Sequence, residues 1–194
     1  MAVGNIAYGG KHFVKVVVDC SVIPRLYNLL SNSDEIIRKR ACWIASVIAA
    51  GNRAEVLALI NKNIVPKVID LLDDTSLHIQ RGAVWTIVQL TGAVDATREQ
   101  TRFVADQGWV EPLCCSVLGS EDVELLQMAL RALCDLLDRL GKKKGQGKPD
   151  RYSAAIKACG GLDKIKSLQS HTDNLIGRRA RDIMANYFET EEDA

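Results

Sequence analysis

The sequence repeats one eight-residue pattern four times, and this repeat constrains the fold more than any other feature. The copies span Ile23–Leu30, Val65–Leu72, Glu111–Leu118 and Leu162–Gln169. The second position holds proline in three copies and aspartate in the fourth, at Pro24, Pro66, Pro112 and Asp163, so that the intervals are 42, 46 and 51 residues. An interval of about 40–47 residues that carries only helical patterns is typical of stacked helical repeats.

Each repeated unit is predicted to contain three helices, of which the third is the longest. A short apolar helix comes first, and the proline-containing helix follows it, because proline is tolerated in a first turn. The third helices share an apolar stripe at spacings of i, i+4, i+7 and i+11, which places the stripe on one helical face. The stripe consists of Ile37, Ala41, Ile44 and Ile48, then Ile79, Ala83, Thr86 and Leu90, then Leu125, Ala129, Ala132 and Leu136. One unit alone leaves this face uncovered, so neighbouring units must stack, and three helices per unit predict an all-α armadillo-repeat solenoid with a right-handed superhelical course.

The predicted organisation is about four armadillo repeats with a repeat fragment before them. The repeats occupy residues 11–52, 53–96, 97–140 and 150–188, whereas residues 1–10 are the end of a truncated repeat, 141–149 a basic flexible loop and 189–194 an acidic tail. The loop combines several helix breakers with no apolar residue, which accounts for the longest interval. Ser33, Ser76 and Ser120 stand near third-helix starts, as N-caps do, and Gly51, Gly92 and Gly141 stand where C-terminal caps belong.

Charge is distributed unevenly along the chain, although the net charge is only +1. Residues 1–138 sum to −3, residues 139–181 to +9 and residues 182–194 to −5. The basic stretch has the charge to meet an acidic partner or nucleic acid, but a solvated loop and a polar helix face are the simpler interpretation. Tyr152 is the one aromatic residue interleaved with these charges, so base stacking has little to use and nucleic-acid binding is not expected.

Cysteine spacing and missing motifs exclude several classes of function. The six cysteines form no C-x-x-C pair, and the three histidines are isolated, which argues against a zinc site and places the histidines in solvent. No stretch approaches the roughly 18 uninterrupted apolar residues that predict a membrane span. The sequence has no phosphate loop, nucleophile elbow, metal pair or paired catalytic carboxylates, so we expect neither enzymatic activity nor a bound cofactor or metal.

Several short strings resemble the importin-α (karyopherin-α) family. They are Ala2–Ile6 (AVGNI), Ala41–Trp43 (ACW), Ala50–Asn52 (AGN) and Cys159–Ile165 (CGGLDKI). The last string precedes a closing helix that ends in Asn186-Tyr-Phe188 and an acidic tail, as the final repeat of that family does. The resemblance covers essentially the whole chain, from the end of the family's sixth repeat through its tenth, and implies a nuclear import adaptor that acts in cytoplasm and nucleus.

The resemblance also implies a peptide-binding groove along the third helices. In that family, tryptophans form slots for lysine and arginine stems, an asparagine one turn later holds the peptide backbone, and an acid one turn earlier meets the cations. Asn5 matches the asparagine of the sixth repeat, and Trp43 and Trp85 match the tryptophans of the seventh and eighth. The clamps around these tryptophans differ from the family pattern. Val47 and Gln89 replace the asparagines, and Arg40 and Gly82 replace the acids.

These departures leave two functions open. The first is the adaptor, with cargo that carries a nuclear localisation signal and binds weakly here, importin-β bound through an N-terminal region not included in this sequence, and the export receptor CAS and a nucleoporin bound through the last repeats. The alternative is an armadillo interaction scaffold whose groove binds a different partner. Arg178, Arg179 and Arg181 are the candidate partner-binding residues of the last repeat, whereas Trp109 has no counterpart in other repeats and is predicted to pack in the core.

Overall fold

The computed structural model describes residues 22–92, 97–146 and 150–188, and all regular structure within these ranges is helical. Eleven helices follow one another in these ranges. They are α1 (Val22–Leu30), α2 (Glu35–Ala49), α3 (Arg53–Asn61), α4 (Ile64–Asp70), α5 (Leu77–Gly92), α6 (Arg98–Ala105), α7 (Val110–Pro112), α8 (Val123–Leu140), α9 (Arg151–Ala158), α10 (Gly161–Leu168) and α11 (Asn174–Tyr187). A 3-10 turn at Leu71–Asp73 extends α4, and a π-helical turn at Leu113–Val117 extends α7.

The four long helices α2, α5, α8 and α11 form the backbone of the stack. Each packs against the next one along the chain, and the shorter helices cover the other side. The apolar stripe predicted for these helices is buried throughout α5 and α8, and in α2 Ala41 and Ile48 are buried while Ile37 and Ile44 are half-buried. This continuous core is the stacking that the repeat predicts.

Aspartates rather than serines cap helices α2 and α8. The Asp34 carboxylate accepts a hydrogen bond from the Ile36 amide at 2.8 Å, and the Asp122 carboxylate accepts one from the Leu125 amide at 2.8 Å. The prediction of Ser33 and Ser120 as N-caps is therefore wrong by one and two residues, because the neighbouring aspartate offers a stronger, charged acceptor. Ser76 does precede α5, but its hydroxyl donates to Glu35 Oε1 at 2.7 Å.

The glycines predicted as C-terminal caps do not use the left-handed conformation. Gly141 is the C-cap of α8 with a φ of −70°, Gly92 is the last residue of α5, and Gly51 follows the C-cap of α2. Among the described glycines, the positive φ angles belong to Gly108, Gly145 and Gly160. The glycines that the pattern singled out therefore end helices without the backbone freedom for which glycine is usually chosen there.

The Gly160-Gly161 pair sets the close packing between the last two repeats. Gly160 adopts a φ of +74° just before α10, a conformation that other residues rarely adopt. A Cβ atom on Gly161 would lie 2.6 Å from Cys114 Sγ, so only glycine permits this approach of α10 to the π-helical turn. Lys164 Nζ then donates to the carbonyl oxygens of Cys114 and Cys115 at 2.9 and 2.7 Å.

Two further features of the described residues bear on the sequence predictions. Trp109 is fully buried, which confirms its predicted core position.

The described part of the basic loop is tied to the protein by its backbone, since the Lys142 amide donates to Asp150 Oδ2 at 2.9 Å and the Lys144 amide to the Asn186 carbonyl at 2.7 Å. The rest of that loop and the predicted segments 1–10 and 189–194 lie outside the described residues.

Candidate functional site

A groove of about 830 Å³ runs across the long helices α2, α5 and α8, and we call it the tryptophan groove. Helix α2 contributes Ile36, Lys39, Arg40, Trp43 and Ser46, helix α5 contributes His78, Arg81, Gly82 and Trp85, and helix α8 contributes Glu124 and Met128. The lining positions correspond between repeats. Positions 36, 39, 40 and 43 correspond to 78, 81, 82 and 85 at an interval of 42 residues, and positions 78 and 82 correspond to 124 and 128 at an interval of 46. Stacking of equivalent helices thus lines one surface with equivalent positions.

The two tryptophans provide the apolar floor of this groove. Trp85 is 41% exposed and Trp43 is half-buried, although both stand on helices whose opposite faces are fully buried. The contrast with Trp109 shows that tryptophan in this chain is not always a core residue. Ile36 is 61% exposed at the start of α2, one of the large apolar side chains that the fold leaves in solvent. An exposed aromatic surface between charged side chains is typical of a binding site.

Positive charge dominates the rim of the tryptophan groove. Lys39, Arg40 and Arg81 line it, whereas Glu124 is the one carboxylate among its lining residues. Arg81 is already neutralised, because it pairs with the Asp122 carboxylate and its Nη1 lies 3.0 Å from Glu124 Oε2. The hydrogen bond from Arg81 holds the pKa of Asp122 below its usual range. Lys39 and Arg40 are exposed, and they carry the remaining charge.

Gly82 occupies a position where the structure leaves little room for a side chain. A Cβ atom there would lie 3.1 Å from Cys42 Sγ and 3.4 Å from Cys42 Cβ. Cys42 is buried, and burial raises the pKa of its thiol to about 12, so this sulfur acts as an apolar packing group. The absence of an acid beside Trp85 is therefore coupled to close packing of α5 on α2.

Val47 and Gln89 do not line the tryptophan groove. Val47 is half-buried and packs against the core, and Gln89 is half-buried on α5. They stand one turn after Trp43 and Trp85, at the positions of the family asparagines, and Asn5, the third predicted amide, lies outside the described residues. Of the predicted groove residues, the structure brings Arg40, Trp43 and Trp85 together.

The corresponding positions on α8 carry a charged pair instead of tryptophan and asparagine. Arg131 stands 46 residues after Trp85, and Asp135 stands 46 residues after Gln89. Arg131 Nε lies 3.5 Å from Asp135 Oδ2. Burial raises the pKa of Asp135 and outweighs the opposite effect of Arg131. The aromatic surface thus ends at α5, and the next repeat presents an ion pair.

The predicted arginines of the last repeat differ in what they contact. Arg178 is exposed, whereas Arg179 Nη1 donates to the Gln127 carbonyl of α8 at 2.7 Å and Arg181 Nη1 donates to the Gln169 carbonyl at 2.6 Å. Two of the three therefore contribute to intramolecular hydrogen bonding. They lie within one turn of α11, on a different helix from the tryptophan groove.

The sequence predicted four of the eleven lining residues and missed seven. The missed ones are Ile36, Lys39, Ser46, His78, Arg81, Glu124 and Met128, and His78 was predicted only as an isolated solvent residue. The signal was present. Ile36, Lys39, His78 and Arg81 lie one or two turns before the tryptophans, and Glu124 and Met128 follow His78 and Gly82 at the next repeat interval. No group of three or more His, Cys, Asp or Glu side chains suited to a metal ion occurs among the described residues. None of the described helices is both long and apolar enough to cross a membrane.

Family models match this chain in three places. The model of the armadillo/β-catenin-like repeat matches residues 11–50 and 52–92, and that of the atypical Arm repeat matches residues 150–194. Among solved structures, a designed armadillo repeat protein in complex with the peptide (KR)4 superposes with a TM-score of 0.77 at 24% identity, over 93% of this chain and 70% of that one. These matches establish the all-α armadillo-repeat solenoid that the repeat predicts.

Curated relatives extend the similarity over nearly the whole sequence. Importin subunit alpha-1b of Oryza sativa subsp. japonica is 35% identical over 98% of this chain. Importin subunit alpha-3 of Arabidopsis thaliana is 34% identical over 96% of it. The matched regions make up 36% and 35% of those two proteins, so this chain spans about a third of the length of the relatives it matches.

Proposed function

Because this chain is a divergent member of the importin-α family, we propose that it acts as part of a nuclear import adaptor, which moves between cytoplasm and nucleus. In this proposal its repeats supply protein-binding surfaces and perform no catalysis. Cargo with a nuclear localisation signal and importin-β are partners of the adaptor as a whole, and the export receptor CAS and a nucleoporin are partners of the last repeats.

The observation that carries the proposal is the pair of tryptophans in one groove. Trp43 and Trp85 occupy equivalent positions on stacked helices and line the same surface. Aromatic faces at a repeat interval suit an extended peptide, whose side chains also recur at a fixed spacing. An exposed cation–π contact at each tryptophan would contribute about 0.5–1 kcal/mol to the binding of a lysine or arginine.

Departures from the family pattern in and beside the groove weaken this binding. At Val47 the peptide backbone loses its amide partner, and each missing hydrogen bond costs about 0.5–1.5 kcal/mol net. Arg40 repels a basic peptide at the position where the family pattern places an acid, an effect that salt screens in part. Together these changes weaken binding of a basic signal by about two orders of magnitude relative to the full family pattern. We therefore propose that the tryptophan groove is a degenerate minor peptide site.

A triple variant tests whether these positions account for the loss. Arg40→Glu, Val47→Asn and Gln89→Asn restore the family pattern, while Gly82 is kept because a Cβ atom there would lie only 3.1 Å from Cys42 Sγ. Calorimetry with a basic signal peptide is expected to show tighter binding to this variant than to the unmodified chain. Lys62→Glu, at an exposed position outside the groove, adds the same negative charge as Arg40→Glu and is the matched control. If the triple variant binds no better than this control, the assignment of the groove is wrong.

The second candidate function is an armadillo scaffold for a partner without a basic signal. The observation in its favour is the charge of the groove, because Lys39 and Arg40 repel a basic peptide where it would need negative charge. The two candidates differ in their prediction for the last repeat. An adaptor retains a receptor-binding surface there, whereas a scaffold has no need of one.

Arg178 provides a test of that difference. It is exposed on α11, while Arg179 and Arg181 donate hydrogen bonds to the backbone of this chain. Arg178→Glu is therefore expected to weaken co-purification with CAS without loss of thermal stability, and Arg25→Glu, an exposed change on α1, is the control. Receptor binding that is the same in all three proteins would remove Arg178 from the proposal.

A further inference from the structure

We propose that the tryptophan groove binds an acidic peptide segment in extended conformation, with apolar side chains on the tryptophans and carboxylates on Lys39 and Arg40. This inference rests on the proposed role of the groove as a peptide site and specifies its partner. Its basis is the arrangement of charge and apolar surface in the groove.

The apolar side chains of the groove are too exposed to be explained by packing in the core. Ile36 is 61% and Trp85 41% exposed, and the half-buried Trp43 and Met128 continue this surface. Large apolar side chains that remain in solvent within a concave surface gain free energy when a partner covers them. The tryptophan faces themselves carry partial negative charge, so a carboxylate avoids them and an apolar or aromatic side chain fits there.

The charged part of the groove selects the sign of the partner. Arg81 is held by Asp122 and Glu124, whose two charges exceed its own by one, so the sum over these three side chains and the exposed Lys39 and Arg40 is +1. Lys39 and Arg40 stand one turn before Trp43, beside the aromatic surface, and both are exposed. A carboxylate at this rim is attracted and an ammonium group is repelled, and low ionic strength strengthens both effects.

The geometry of an extended chain matches this division. Successive side chains of an extended peptide point to opposite sides, so alternate residues can face the tryptophans while those between them face the rim. A segment that alternates apolar and acidic residues satisfies both surfaces at once. A basic segment satisfies the tryptophans alone, which is why the same groove is degenerate as a basic-signal site.

Fluorescence anisotropy with two labelled peptides tests the proposal. The probe is an acidic peptide of alternating glutamate and leucine kept soluble by a polar tail, and its counterpart has lysine at each glutamate. The unmodified chain is expected to bind the acidic probe more tightly, and a tenfold rise in salt is expected to reduce the difference. Lys39→Glu with Arg40→Glu is expected to weaken binding of the acidic probe by about threefold to tenfold and to strengthen binding of the basic probe.

Controls separate this groove from other basic surfaces. Lys62→Glu with Arg53→Glu makes the same change of charge at exposed positions outside the groove and is expected to leave both affinities unchanged. Trp85→Ala is expected to weaken binding of the acidic probe. Tighter binding of the basic probe by the unmodified chain would overturn the proposal, as would acidic binding that survives reversal of Lys39 and Arg40. A single-stranded oligonucleotide that binds more tightly than the acidic probe through the same two residues would overturn it in favour of nucleic acid.

The outcomes also distinguish this inference from the proposed adaptor function. A chain that binds CAS through α11 but not the acidic probe contradicts the inference and leaves the adaptor. A chain that binds the acidic probe but no transport receptor contradicts the adaptor and supports a scaffold with an acidic partner.

Discussion

Small residues decide how closely the repeats approach one another. Gly82 packs on Cys42 between α2 and α5, and Gly161 packs on Cys114 between α10 and the π-helical turn. Burial raises the pKa of both thiols, so each sulfur behaves as an apolar group that fills space. Each glycine faces a cysteine of the preceding repeat, and these contacts connect residues about one repeat apart in the sequence.

At the residue scale we predict that Gly161→Ala destabilises the protein. The new Cβ would lie 2.6 Å from Cys114 Sγ and 3.0 Å from the Ile156 carbonyl oxygen, so helix α10 must shift, at a cost of about 1–3 kcal/mol. The measurement is the free energy of unfolding in urea. Gly119→Ala is the matched control, because its Cβ would meet only the flexible Lys164 Nζ at 3.7 Å. Equal stability of the two variants would show that the contact at Gly161 is not tight.

Polar contacts between neighbouring long helices define the stack at the scale of elements. Arg38 Nε of α2 donates to Asp74 Oδ2 before α5 at 2.8 Å, and Arg81 of α5 pairs with Asp122, the N-cap of α8. Gln127 Nε2 of α8 donates to Asp173, the N-cap of α11, at 3.2 Å. Each long helix thus contacts the start of the next one, which fixes the stagger between repeats.

At the element scale we predict that Asp122 makes the stability of the stack sensitive to acid. The hydrogen bond from Arg81 and the helix N-terminus favour the ionised form and lower the pKa of Asp122 from 3.8. A lowered pKa stabilises the folded state above pH 3.8, and that contribution is lost as the pH falls below it. Asp122→Asn keeps a capping side chain but removes the titrating group. Its free energy of unfolding in urea is therefore expected to fall less between pH 6 and pH 3 than that of the unmodified chain.

A second aspartate controls for the change in net charge. Asp163→Asn removes one carboxylate from an exposed position on α10, away from the contact between long helices. If Asp122→Asn and Asp163→Asn respond alike to acid, the pair between Arg81 and Asp122 does not stabilise the stack.

At the scale of the whole molecule, the repeat interval correctly predicted the features that recur from one repeat to the next. Burial of the stripe at Ala83 and Leu90, the exposed tryptophan at position 85 and the three-helix units all follow from equivalent positions on stacked helices. The caps did not follow in the same way, since several polar residues compete within one turn and local geometry chose Asp34 over Ser33. The packing of Gly82 on Cys42 is a contact between repeats, and no local pattern marks it.

The groove was predicted in part for the same reason. Its tryptophans repeat in residue type, whereas at the other lining positions Ile36 corresponds to His78 and Arg40 to Gly82. Positions recur in a solenoid even where residue types change, so the position is the better guide to what lines a surface. The stacked structure shows that these unlike residues share one groove, and from this its charge can be inferred.

We propose that this importin-α relative has kept the aromatic floor of a peptide groove and has lost the preference for basic signals. Titration of the unmodified chain with a basic nuclear localisation signal peptide in a calorimeter at physiological salt tests it most directly. Because Val47 and Arg40 stand in place of the asparagine and the acid of the family pattern, we predict a dissociation constant weaker than about 100 μM. Binding in the low micromolar range would show that the groove still prefers basic signals.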